Sequence, residues 1–205
     1  MYKRQELICT IADRLEAHHA RHIVLDPVMV ATSGAKLIDD DAITALTERL
    51  FPLAEVITPN IPETEVLLDL IAHRGASLDP AKWAEDTDRE STRIVSDTAM
   101  EDAGRTVSEH YGCAVLVKGG HGVADASDLL YADGVATWIH GVRVDNPNTH
   151  GTGCTLSSAI ASNLAKGEAL PDAIRHAKDY LTGALGAQLN LGHGSGPMDH
   201  AWHWH

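Results

Sequence analysis

A chain of 205 residues, 44% hydrophobic and 22% charged, has the composition of one globular domain with a substantial core, or a large piece of one, which excludes a chain disordered throughout. With 29 acidic and 16 basic side chains the formal net charge is −13, so most of the surface repels nucleic acid and anionic lipid, and neither is expected as a partner. Apolar runs such as Ile23-Val24-Leu25 and Val28-Met29-Val30-Ala31 are too short to cross a membrane, no signal-peptide pattern is visible, and Cys9, Cys113 and Cys154 form no Cys-x-x-Cys pair, so a reducing, cytoplasmic setting is expected.

Along the chain, Leu7, Ile8, Ile11, Ala12 and Leu15 recur at helical spacing and predict an amphipathic helix over 6–20. His22 to Asp26 reads as a short buried strand stopped by Asp26-Pro27. A helix is expected over 41–50, with acidic residues in its first turn, where the dipole favours them. A second strand follows over 55–58, ended by Pro59-Asn60, and then a helix over 62–72. Residues 73–103 are polar and lack apolar periodicity, which predicts a surface excursion. A helix over 103–111 leads into a third strand, Ala114 to Lys118, and Asp133-Gly134 between two apolar runs signals a hairpin. Two helices follow, one carrying Leu156, Ile160 and Leu164, the other Ile174, Ala177, Leu181 and Leu185, with Pro171 suited to the first turn of the latter. Alternating short apolar strands and helices predict an α/β fold: a mostly parallel central sheet covered on both faces, a late antiparallel hairpin, and a single domain over 1–205.

Open α/β sheets bind ligands at the carboxyl ends of their strands, and the chemically suggestive residues sit there. Gly151-Thr152-Gly153-Cys154 opens a helix; its glycines allow a tight turn whose amides, with the positive helix end, suit an anion. The same residues also suit a glycine cap with a small cysteine behind it. Lys118 leaves its strand into Gly119-Gly120, where a lysine can reach a phosphate beside donating amides, or can simply be a solvated strand end. Asn60 and Glu63 offer oxygens one helical turn apart, enough for magnesium with its waters, and equally a turn followed by an acidic first helical turn. Asp26 is a further oxygen donor or a turn residue before Pro27. The histidine-containing tail 199–205 is expected to fray rather than to hold a functional metal. No Gly-x-x-x-x-Gly-Lys-Ser/Thr, no Gly-x-Gly-x-x-Gly after a strand and no Gly-x-Ser-x-Gly occurs, which argues against P-loop, dinucleotide-binding and α/β-hydrolase chemistry.

Five segments together resemble one family, the hydroxymethylpyrimidine/phosphomethylpyrimidine kinases of the ribokinase-like superfamily: Val24 to Gly34, Thr58 to Glu65, Val115 to His121, Asn148 to Ala159, and Leu191-Gly192-His193-Gly194 with Gly196-Pro197 and His200. The resemblance implies a ribokinase-like three-layer αβα fold and a thiamine-biosynthetic enzyme. It would use ATP and magnesium to phosphorylate 4-amino-5-hydroxymethyl-2-methylpyrimidine and then its monophosphate, as a homodimer. It implies Cys154 as the base, Gly151 and Gly153 with Cys154 as the anion hole, and Lys118 on the migrating phosphoryl group. By the same likeness Thr152, Val28 and Gly119 serve substrate or phosphate binding, and Asp26, Asn60 and Glu63 organise the metal. The family's opening strand and its glycine- and aspartate-rich loop have no counterpart before Met1-Tyr2-Lys3-Arg4-Gln5, so an exposed sheet edge and exposed apolar helix faces are expected. A pyridoxal kinase of the same superfamily and a catalytically incomplete nucleotide-binding fragment are the competing readings; a Rossmann-like reductase would require NADPH binding.

Overall fold

The computed structural model describes residues 3–29, 37–72, 92–119, 126–146, 150–189 and 196–204. They fall into two compact units, Met1–Lys118 with Leu129–Thr137, and Gly119–Asp128 with Trp138–His205.

In the first unit, α1 (Lys3–Ala17) buries Ala12 completely but leaves Leu7 58% and Ile11 41% exposed. Ile11 and Leu15 line an open apolar groove with Thr10, Arg14, His18 and Ala20, so the apolar stripe of this helix is only partly covered. β1 (Val24–Leu25) pairs in parallel with β2 (Val56–Ile57), and β2 in parallel with β3 (Ala114–Val117). The crossover from β1 to β2 runs through α2 (Asp40–Ala45), which widens into a π turn over Leu46–Leu50 and tightens into a 3-10 turn over Phe51–Leu53. Pro52 sits at the start of that last turn. The crossover from β2 to β3 contains α3 (Ile61–Ala72) and α4 (Asp97–Tyr111). Val56, Ile57, Val115, Leu116 and Val117 are all fully buried, the mark of parallel strands covered on both faces.

β3 pairs antiparallel with β4 (Asp128–Ala132), with Val115 opposite Tyr131, and β4 turns into β5 (Val135–Ile139). Asp133 and Gly134 take φ of 50° and 78°, the left-handed pair that a two-residue hairpin requires. The sheet order is β1-β2-β3-β4-β5, the mixed sheet expected, with β1 at one edge among the described residues.

One boundary departs from expectation. α4 begins at Asp97, so the polar excursion ends well before residue 103. The Ser96 side chain caps the helix by accepting from the Ala99 amide at 3.2 Å, and Met100 and Ala103 are buried beneath the early turns. The Ile94 amide donates to Glu65 Oε1 at 2.9 Å, which ties the approach to α3. Residues 73–91 of the excursion lie outside the described residues.

In the second unit, α5 (Thr152–Ala165) and α6 (Leu170–Gly186) pack on one another, burying Leu156, Ile160 and Leu164 on one and Ala173, Ile174, Ala177 and Ala184 on the other. The described part of the tail, residues 199–204, is not frayed, contrary to the sequence expectation. Met198 and Asp199 are buried, the Asp199 amide donates to the Ala184 carbonyl at 3.2 Å, and the Trp202 ring lies against Gly183 so closely that any Cβ there would collide with it. The ring buries its apolar area on α6, which offsets the ordering cost of the chain end.

Candidate functional site

Parallel strands send their carboxyl ends to one rim. Asp26 follows β1, Thr58 follows β2 and Lys118 follows β3, so topology alone gathers them. Lys118 still forms an isolated parallel bridge with Asn60, and its amide donates to the Pro59 carbonyl at 2.8 Å. Its Nζ donates to Asp26 Oδ1 at 2.7 Å, and Thr58 Oγ1 donates to the same oxygen at 3.3 Å. The Lys118 and Asp26 side chains are only 17% and 12% exposed, so the pair is poorly screened by solvent.

Glu63 lies one helical turn into the neighbouring element and is 2% exposed. Its Oε1 accepts the Met29 amide and its Oε2 accepts the Asn60 amide, each at 2.9 Å. Asn60 Oδ1 in turn accepts the Glu63 amide at 2.8 Å, which closes a reciprocal capping box at the start of α3. Burial pushes the Glu63 carboxyl up from its ordinary range, and the two amides and Lys118 oppose that rise only in part. The bond to Met29 also restrains the preceding turn, in which Val28 holds φ of 43°. A β-branched residue in that region is strained, and such strain persists only where the surroundings impose it. Val28 itself is 45% exposed and available at the surface.

The oxygens expected to serve magnesium are therefore already engaged: Asn60 and Glu63 bond each other and backbone amides. Among the described residues no group of three or more His, Cys, Asp and Glu side chains is placed to hold a metal. Asp26, Asn60 and Glu63 are all oxygen donors, the chemistry that magnesium prefers, but Asp26 is engaged by Lys118.

In the second unit, Gly151 is the N-cap of α5 at φ 84°, ψ 4°, a left-handed conformation that explains the glycine. Thr152, Gly153 and Cys154 form the first turn, whose amides point out of the helix end by geometry, and Cys154 is exposed there. The Gly119 amide differs from expectation. It donates to Asp128 Oδ1 at 2.9 Å, so it is committed within the protein rather than presented to a phosphate. A Cβ at Gly119 would collide with the Ser127 carbonyl oxygen, so close backbone approach explains that glycine. Val30 to Gly34, Gly120, His121, Asn148, Thr149 and Leu191 to Gly194 lie outside the described residues.

Sequence reasoning gave Thr58 no role of its own, although it ends a predicted strand and opens the Thr58 to Glu65 segment, and it missed the buried pair Asp128–Lys178. Lys178 did leave a trace, since it follows Ala177 and stands four residues after Ile174, beside an apolar stripe where a lysine is out of place.

The fold is that of an α/β kinase of the ribokinase-like class. The phosphomethylpyrimidine kinase family matches residues 1–199. A hydroxymethylpyrimidine/phosphomethylpyrimidine kinase from Haemophilus influenzae is 38% identical over 205 residues, covering 98% of this chain and 68% of that protein. The solved phosphomethylpyrimidine kinase of Clostridium difficile is 31% identical with a TM-score of 0.63, over 87% of this chain and 63% of that one. The pyridoxal kinase of Staphylococcus aureus in complex with ADP gives a TM-score of 0.79 at 25% identity, over 99% of this chain and 66% of that one. This chain belongs to the phosphomethylpyrimidine kinase family and spans about two thirds of the length of these relatives.

Proposed function

We propose that the chain transfers the γ-phosphoryl group of ATP to the hydroxymethyl oxygen of 4-amino-5-hydroxymethyl-2-methylpyrimidine, and then phosphorylates the monophosphate to the pyrophosphate, in thiamine biosynthesis. Family membership carries the substrate class, and the Lys118–Asp26 pair on the strand rim carries the chemistry. In each transfer a new O–P bond forms at the acceptor oxygen as the β–γ bridging bond breaks and ADP leaves. Lys118 gives up part of its contact with Asp26 to neutralise the migrating phosphoryl group. In the first transfer Cys154, as thiolate, accepts the hydroxyl proton at Sγ, and the first-turn amides of α5 with the capping turn at Gly151 hold developing negative charge. Thr152 and Val28 contact substrate or phosphate, while Gly119 acts through its backbone bond to Asp128. Asp26, Asn60 and Glu63 would hold magnesium, which would supply charge neutralisation of the nucleotide phosphates. Assembly as a homodimer in the cytoplasm belongs with this reading; no helix among the described residues is long and apolar enough to cross a membrane.

Pyridoxal phosphorylation is the second reading, favoured by the higher TM-score to the Staphylococcus aureus enzyme and disfavoured by the lower identity to it. ADP release from magnesium-ATP, measured with the pyrimidine, with pyridoxal and with neither, separates the two. Pyrimidine-dependent release lost in Cys154→Ala is expected; a clear preference for pyridoxal would reverse the substrate assignment. No release from a folded sample with either would leave a nucleotide-binding fragment.

A further inference from the structure

Lys178 is buried in α6, and its ammonium donates to Asp128 Oδ2 and to the Ala126 carbonyl. Asp128 is 6% exposed, and its other oxygen accepts the Gly119 amide at 2.9 Å. The lysine stem passes directly against Gly141, where a Cβ would collide with Cε, and the Ala126 amide donates to the Gly141 carbonyl at 3.3 Å. One carboxylate thus ties a helix ammonium to the backbone of the residue that directly follows Lys118 in the chain.

Stability alone is a poor reason for such a pair, since desolvating two charges offsets much of their attraction and an apolar pair would fill the same space. Its geometry is more informative: the ammonium orients the carboxylate, and the carboxylate fixes one specific amide. We propose that Asp128, set by Lys178, is a positioning residue that holds the Gly119 peptide, and with it the peptide leaving Lys118, in the conformation from which Lys118 meets the nucleotide phosphate. The proposal rests on the kinase reading above and deepens it. In this role both residues act through Gly119.

Removing one partner would strand a buried charge and unfold the chain for uninformative reasons. The test therefore compares two double variants, Asp128→Asn with Lys178→Met, and Asp128→Leu with Lys178→Met. Both abolish the charges together, but only the asparagine keeps an oxygen for the Gly119 amide. ATP affinity by calorimetry, KM for ATP and for the pyrimidine, and exchange protection of the Gly119 amide are read on samples of matched Tm. The asparagine double variant should keep ATP affinity near wild type, while the leucine one weakens it by about three- to tenfold, the worth of one lost hydrogen bond. KM for the pyrimidine should stay unchanged and Gly119 protection should fall only in the leucine variant. Wild-type ATP affinity in the leucine variant overturns the proposal, as does an equal loss in both. A folded wild-type chain that binds no ATP overturns the kinase reading, and the proposal with it, an outcome distinct from either.

Discussion

The strand rim and the start of α5 display their polar groups in opposite ways. On the rim, Asp26, Thr58, Asn60, Glu63 and Lys118 are buried or nearly so, and each is bonded to another or to a backbone amide. At α5 the elements are a left-handed glycine, a first helical turn and an exposed Cys154. The rim gains preorganisation at the cost of desolvation, so its residues are coupled to folding. The helix start relies on backbone geometry that any sequence forming the turn would supply, so its exposed Cys154 side chain is nearly independent of stability.

The comparison is tested first where the expected effect is largest. Cys154→Ala should lower kcat by about 10²- to 10⁴-fold, the range for loss of a general base, with Tm unchanged because the side chain is exposed. A large Tm loss would break the contrast. Lys118→Ala should lower kcat by about 10²- to 10³-fold and also destabilise the chain by about 2 kcal/mol, because Asp26 loses its partner in a poorly solvated place. Turnover lost without any stability change would show that the rim is less coupled than its burial suggests.

Glu63→Gln should cost about 1–3 kcal/mol in denaturant unfolding, since an NH2 group would face a backbone N–H where an oxygen now accepts. The pH dependence sharpens this. The carboxyl is raised in the folded state by burial, so that state holds the proton more tightly than the unfolded chain does. Stability from this group is present below the ordinary value of 4.5 and is lost as pH climbs through the raised folded one. The deficit of Glu63→Gln should therefore narrow on raising pH above 4.5, and a deficit that widens would contradict it. The smallest effect concerns thiols. Burial pushes Cys113 up to about 12, so alkylation at pH 8 followed by peptide mapping should label exposed Cys154 and spare Cys113 until the chain unfolds.

Much of the fold was legible in the sequence, because parallel strands and amphipathic helices write themselves as apolar runs and periodicity. The hairpin at Asp133-Gly134 and the helices starting at 152 and 170 fall where their turn residues and apolar faces indicated. The start of α4 was less legible, since Asp97 to Glu101 is polar on its outer face and only the Ser96 cap and buried Met100 betray the helix. The docked tail was illegible, because what holds Trp202 is the absence of a side chain at Gly183, nineteen residues earlier.

By itself the sequence determined the alternation of elements, the chain positions of Asp26, Lys118 and Cys154 at strand or helix ends, and the family to which they point. These follow from local propensity and spacing, which act over a few residues. Only the tertiary structure decided what each polar group bonds to. It made Glu63 a clasp between Met29 and Asn60, set Lys118 on Asp26, and committed the Gly119 amide to a carboxylate that Lys178 orients. Those pairings join residues up to 92 positions apart, and in a poorly solvated interior each buried polar group must find its partner wherever the fold brings one within reach.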